Sequence, residues 1–262
     1  MEPMDYPVEA VGRRGINLIN RAGGMAIMLG RFVGSLKEIP RSGHIIFQQL
    51  YAIGVKSLPL IIVISIFVGA VSAWQAAYQF KFIGAPLRLL GSAVGKAVVI
   101  ELAPVLSALV FAGRVGAGIA AELGTMRVTE QIDAVESMGI DPVRYLVMPR
   151  MLACILMVPM LVIFANFVAV MGALAVSTFG VDISSETFLN GYRSSFQIMD
   201  FVNGLIKAGV FGLLIGLVGC YEGYYTWGGA AGVGRSTTVA VVIASVLILI
   251  SNFLFAMLLF RI

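Results

Sequence analysis

The chain has 262 residues, of which 59% are hydrophobic and 12% charged, with a formal net charge of +4 and a mean hydropathy of +0.96. A soluble domain of this length carries about twice that charged fraction, so the composition excludes a soluble core with one anchor and indicates a polytopic helical membrane protein. The small positive balance fits membrane topology and anionic headgroups rather than nucleic acid.

Residues 1–45 differ from the rest. Arg13, Arg14, Arg21, Arg31, Lys37 and Arg41 are interleaved with apolar residues such as Val11, Ile16, Leu18, Met28 and Phe32. Arg14, Asn17, Arg21, Gly24 and Arg31 fall on one polar stripe at helical steps. A basic helix with an opposing apolar face lies in the membrane interface. No uninterrupted apolar run with a small-residue cleavage site precedes it, so it is not read as a signal peptide. It serves as an anchor or as a headgroup-binding arm.

Five apolar runs approach or exceed the roughly 20 residues that cross a bilayer as helix: 51–78, 93–121, 151–179, 201–221 and 237–260. Pro59 stands near the start of the first, and Pro159 is expected to kink the third. A polar loop with Asp182, Glu186 and Arg193 precedes the fourth, and a glycine-rich loop, 223–236, precedes the fifth. Five spans put the two ends on opposite sides, and the N-terminal basic cluster favours the N-terminus inside. Lys81, Arg88, Lys96, Arg193, Lys207 and Arg261 then fall outside.

The stretch 122–150 between spans two and three carries Arg127, Glu130, Asp133, Glu136, Asp141, Arg144 and Arg150. Met126, Val128, Ile132, Val135 and Met138 recur at helical spacing, which predicts a short amphipathic helix. Thr125 is its expected N-cap and Gly139 its stop, with Asp141–Pro142 opening a second helix. Such a hairpin is either a lipid-facing surface element or a docking element for a soluble partner.

Small residues step by four at Gly113, Ala117 and Ala121, at Gly116, Ala120 and Gly124, and at Gly204, Ala208, Gly212 and Gly216. Such ridges serve close packing inside the bundle or a homodimer seam. Glu101 and Arg114 are ionisable groups within span two, where a charge normally faces a cavity or a partner. Thirteen residues apart on one helix, roughly 20 Å, they cannot pair. Glu101 either lines a path for a polar headgroup or caps a neighbouring helix. Arg114 and Glu122 are read as structural, tying span two to the hairpin. Gly229–Ser236 has the spacing of a phosphate loop, but Arg235 replaces the lysine and no strand precedes it. The glycines are read as an interfacial loop with Arg235 available to lipid phosphate. Cys154 and Cys220 lack metal spacing, and His44 has no evident catalytic partner. No triad, metal cluster or redox motif points to an enzyme.

The run ELAP at 101–104, AGRxGxGxAAELGxM at 112–126 and TEQxDAxxxMGIDPxxYLxxPR at 129–150 closely resembles the MlaE/YrbE family of permeases. Weaker agreement continues at Gln49–Tyr51 and Ala231–Thr238, and Ala103 stands where that family usually has glycine. The resemblance implies an all-α, homodimeric inner-membrane permease: an N-terminal interfacial helix, five spans and one permease domain over 1–262. It implies two cytoplasmic ABC ATPase subunits, a periplasmic MCE ring, and phospholipid transport that maintains outer-membrane asymmetry. ATP and magnesium would belong to the ATPase, and this chain would hold no cofactor. The hairpin, 125–150, would be the coupling element, with Thr129, Glu130, Gln131, Asp133, Glu136, Met138 and Asp141 in the contact. Lipid would enter between protomers past Glu101 and Arg235. Phe67, Val71, Trp74, Gln75 and Tyr78 join that wall by their size and polarity. Two other readings use the same residues: a proton-driven secondary transporter that titrates Glu101, and a non-transporting membrane scaffold.

Overall fold

The computed structural model describes the backbone of residues 7–259, and side chains from Ile16 except Asn17, Leu18, Pro40, Arg41 and Leu259. The side chains of Val11, Arg13, Arg14, Asn17, Leu18 and Arg41, with Phe260 and Arg261, lie outside the described residues. Among the described residues there are helices and no strands. Five helical stretches are long and apolar enough to cross a membrane: Gly43–Ile83, Leu87–Val128, Val143–Gly180, Ile198–Tyr224 and Gly229–Leu258. We number them spans one to five.

A first helix, Pro7–Ser35, lies against the bundle. Met28 and Phe32 are buried beneath it, while Ile19 and Ile27 remain exposed. Its stripe is not purely an outward polar face. Gly24 turns inward, since a β-carbon there would lie 2.5 Å from the Tyr221 hydroxyl, and Arg21 pairs with the buried Glu222 at 3.5 Å. An unpaired carboxylate in that position is costly, so the nearest cation is drawn in.

Span one begins as Gly43–Ile53, breaks at Gly54–Ser57, and runs on as Leu58–Ile83. Pro59 sits in the first turn after the break, where its missing N–H costs nothing. Gly84, at φ 73°, closes the helix as a left-handed cap. Span two is one rod that contains two wide π turns, Val98–Leu102 and Ala112–Gly116. Span three runs unbroken through Pro159. The expected glycine-rich loop at 223–236 shrinks to residues 225–228, because span four continues to Tyr224 and span five starts at Gly229. Gly228 and Gly229, at φ 91° and 68°, make the turn that remains, while Gly223 abuts Ala120 and Leu123 and Gly232 closes on the Trp227 carbonyl.

The bundle is assembled by close backbone approach, as expected where lipid removes the hydrophobic drive between helices. Span one packs on span three, span three on span four, and the hairpin-end half of span two between spans four and five. A β-carbon at Gly69 would fall 1.8 Å from the Ala169 carbonyl oxygen, and one at Gly172 2.5 Å from that of Ile66. A β-carbon at Gly212 would lie 2.5 Å from the Cys154 carbonyl oxygen, and one at Gly216 3.2 Å from the Met151 backbone. The span-four ladder and the ridge Gly116, Ala120, Gly124 therefore work inside the chain. Gly113, on the companion ridge, has nothing within 4 Å of a built β-carbon. Cys154 and Cys220 are free and buried, as small apolar residues would be.

Gly69→Leu should separate spans one and three. A loss of stability of about 1–3 kcal/mol or more is expected from overpacking at a backbone contact, read as a lower midpoint in a detergent melt. Gly113→Leu, which points into open space, should leave that midpoint close to the parent.

Candidate functional site

Span two carries the chemistry-bearing residues in order. At its far end from the hairpin, Pro104 has no N–H to offer the Ile100 carbonyl four residues back. The helix widens there into the π turn Val98–Leu102, which holds Glu101. Lys207 of span four, fully buried, reaches across. Its Nζ donates to Glu101 Oε1 at 2.8 Å and to the Ile100 carbonyl at 3.3 Å. Glu101 remains 35% exposed and borders an open cavity of about 560 Å³ with Ser92, Ala93, Lys96 and Ser195. Lys207 is thus not an outside-facing charge. The sequence counted it among the outside cations because it stands in the first turns of span four, with nothing local to reveal its partner. Glu101 therefore stands in an ion pair with span four and not alone in its helix.

The second π turn holds Arg114, which donates to the Ser57 hydroxyl at the break in span one. Ser57 is itself buried and donates to the Ile53 carbonyl at 2.5 Å. Two turns on, Glu122 accepts from the buried Arg150 at 2.9 Å, and Arg150 also donates to the Leu146 carbonyl at 2.7 Å. Glu122 therefore ties span two to the far end of the hairpin, while Arg114 ties it to span one. Wide turns of this kind occur frequently at functional positions.

The hairpin departs from its expected form at its start. Span two runs through Thr125, whose hydroxyl donates back to the Ala121 carbonyl, so Thr125 is no N-cap. The break comes at Glu130, which takes the left-handed conformation at φ 59° without being glycine. This splits the expected apolar face: Met126 and Val128 belong to span two, and only Ile132 is fully buried in the short helix Gln131–Ser137. Met138 is 66% exposed. The stop is as expected. Gly139, at φ 75°, donates to Glu136, and Ile140 to Val135, the paired bonds of a Schellman closure. Asp141 Oδ1 then accepts from the Val143 N–H at 2.9 Å across Pro142, capping the next helix. Glu130, Gln131, Asp133, Glu136 and Asp141 are all exposed, as is Thr129. Asp133 is ion-paired with Arg127.

The remaining candidates lie apart. Phe67, Val71, Trp74 and Tyr78 are all more than half exposed and, with Gln75, share one outward face of span one. Arg235 is in the first turns of span five, beside a different cavity from that of Glu101. Within one chain these groups do not converge. Lys207, Ser57 and Glu222 were not singled out by the sequence. The spacing Gly204–Lys207, a small residue one turn before a cation within an apolar run, was the available signal for the first.

The family model for the MlaE permease matches residues 46–258. A probable ABC transporter permease protein of Rickettsia felis is 42% identical over 253 residues, covering 97% of each chain. A protein of the same description from Synechocystis is 43% identical over 214 residues, 82% of this chain and 81% of its own. Trigalactosyldiacylglycerol 1, a chloroplast protein of Arabidopsis thaliana, is 37% identical over 214 residues, 82% of this chain and 61% of its own. With matches that take in all five spans and the hairpin, the chain belongs to the MlaE permease family and is a multi-pass membrane permease subunit.

Proposed function

We propose that the chain is the permease of an ATP-driven phospholipid transporter. It works as a homodimer in the inner membrane, N-terminus in the cytoplasm, with ABC ATPase subunits on the hairpin side and an MCE ring on the periplasmic side. The observation that carries this reading is the continuity of span two. One helical rod, Leu87–Val128, runs from the Glu101 turn directly into the exposed hairpin. From Glu101 to Val128 the rod is about 40 Å long, so a push on one end is delivered at the other. Relatives named as ABC transporter permeases support an ATPase as the source of the push. The Arabidopsis relative is named for a galactolipid, which supports a lipid substrate. The ring, the dimer and the membrane assignment rest on the family resemblance.

In this reading Thr129, Glu130, Gln131, Asp133, Glu136, Met138 and Asp141 meet the ATPase. The acidic groups face solvent around one exposed methionine, a rim-and-anchor arrangement suited to a groove on a soluble partner. Glu101, with the outward face of span one and Arg235, lines the lipid route. Nucleotide closure changes transport only through a difference in lipid affinity between the two states of the permease. ATP and magnesium belong to the ATPase.

Two outcomes test this. Reversing Glu130 and Glu136 to lysine leaves the Arg127–Asp133 pair in place. In the reconstituted complex it should cut lipid-stimulated ATP hydrolysis by roughly tenfold or more, because reversed rim charges set like against like across the contact, with the detergent melt unchanged. Normal stimulation would falsify the docking assignment. The second concerns the buried pair. Glu101→Gln and Lys207→Met should each lower the melting midpoint. Their cost should lie toward the lower end of the about 3–5 kcal/mol for breaking a buried pair, because Glu101 is 35% exposed. The double variant should recover much of that stability through coupling, yet transfer lipid as poorly as Glu101→Gln alone. Recovery of transfer along with stability would confine Glu101 to a structural role.

A further inference from the structure

A second cavity, of about 450 Å³, opens at the hairpin end, between the first helix and the turn that joins spans four and five. It shares no lining residue with the cavity beside Glu101. Its charged groups come from three separate elements: Arg21 from the first helix, Glu222 from the end of span four, and Arg235 from the start of span five. Glu222 is 7% exposed. Arg21 Nη1 stands 3.5 Å from its Oε1, the outer limit of a hydrogen bond, and that oxygen has no hydrogen-bond partner among the described residues. Arg235 is exposed and makes no ion pair among the described residues. Ser236 lies beside it, and Tyr225 and Trp227 complete the wall, 55% and 80% exposed.

We propose that this cavity binds a phosphate ester bearing a primary ammonium, the chemistry of an ethanolamine phospholipid headgroup. Arg235 and Ser236 take the phosphate oxygens, since a guanidinium offers paired donors to a phosphate. Glu222 takes the ammonium. A buried carboxylate oxygen without a hydrogen bond calls for an N–H donor, which a primary ammonium has and a quaternary one lacks. Tyr225 and Trp227 add the attraction of aromatic rings for a cation. The position suits a lipid: exposed tyrosine and tryptophan at a span end mark the headgroup level of a bilayer. The inference shares Arg235 with the proposed lipid route and rests on its membrane placement but not on transport, and it adds a headgroup preference at the hairpin end of the chain.

The test uses the full chain in detergent with Trp74→Phe, which leaves Trp227 as the one tryptophan of the two in the sequence. Its fluorescence is titrated with dihexanoyl phosphatidylethanolamine and with the choline and glycerol counterparts. A saturable change is expected for the ethanolamine lipid, with affinity about tenfold weaker for the other two, the scale of one lost charge-assisted bond. Glu222→Gln should erase that preference, and Arg235→Gln, at an exposed position that folding tolerates, should weaken all three. Equal affinities for the three lipids, or a preference untouched by Glu222→Gln, overturn the proposal. Glycerophosphoethanolamine separates the sources: a response to the lipid alone assigns the site to membrane lipid, and an equal response assigns it to the soluble ester. A parent complex, with Trp74 kept, that moves no lipid while Trp227 of the single-tryptophan chain still titrates strikes the transport reading alone. A flat titration in a complex that transfers lipid strikes this site alone.

Discussion

A single ammonium group sets the register of the bundle. Lys207 is wholly buried in an apolar body, where an unpaired charge costs several kcal/mol. Its partners both come from the turn that Pro104 widens in span two, the Glu101 carboxylate and the Ile100 carbonyl. The approach is possible because Gly204, one turn earlier in span four, lets the Val99 carbonyl come within 3.1 Å of where its β-carbon would stand. Proline frees an acceptor, glycine admits the backbone, and lysine fills the opening. With span four fixed at that point, its later small residues fall opposite their own partners: Gly219 on Gly116, and Gly223 on Ala120.

The same rule recurs along the chain. Arg150 is answered by Glu122, Lys96 by Asp200, Arg21 by Glu222, and Arg114 by the Ser57 hydroxyl. Each link joins two different helices. Packing of small residues is sequence-tolerant and could be satisfied with helices slipped by a turn. Charged groups are not so forgiving, because a slip of one turn strands the more buried member of each pair, Arg150, Glu222 or Asp200, without its partner. These pairs therefore act on which arrangement forms more than on how stable it is, the role for which buried ionic groups are best attested.

This division explains what the sequence revealed. The five spans were legible because a bilayer demands long apolar helices, and composition alone reports that demand. The hairpin's end was legible because Gly139 and Asp141–Pro142 act locally. The partner of Lys207 was not, since it lies 106 residues away. The break at Glu130 had no local signal either: no glycine or proline stands there, yet the residue takes a left-handed φ of 59° and Ile132, two residues on, is buried. The glycine-rich run was legible only in part: Gly228 and Gly229 do make the turn, at φ 91° and 68°, while Gly223 and Gly232 lie inside helices where a β-carbon would meet neighbouring atoms.

These constraints bear on how the proposed stroke reaches the lipid. Span two is a rod with two wide turns, and each wide turn is clamped to another helix, Glu101 to span four and Arg114 to the broken start of span one. A displacement of the hairpin first loads the Glu122–Arg150 pair and so moves the start of span three with it. It next reaches Arg114, where it is shared with Ser57 and thus with the helix that carries Phe67, Val71, Trp74 and Tyr78 on its open face. What remains arrives at the Glu101 turn. The outward face of span one and the Glu101 carboxylate do not touch within one chain. Both are fastened to one rod through Arg114 and the Glu101 turn, so in the proposed stroke they would shift together, and a lipid between two copies would feel both changes at once.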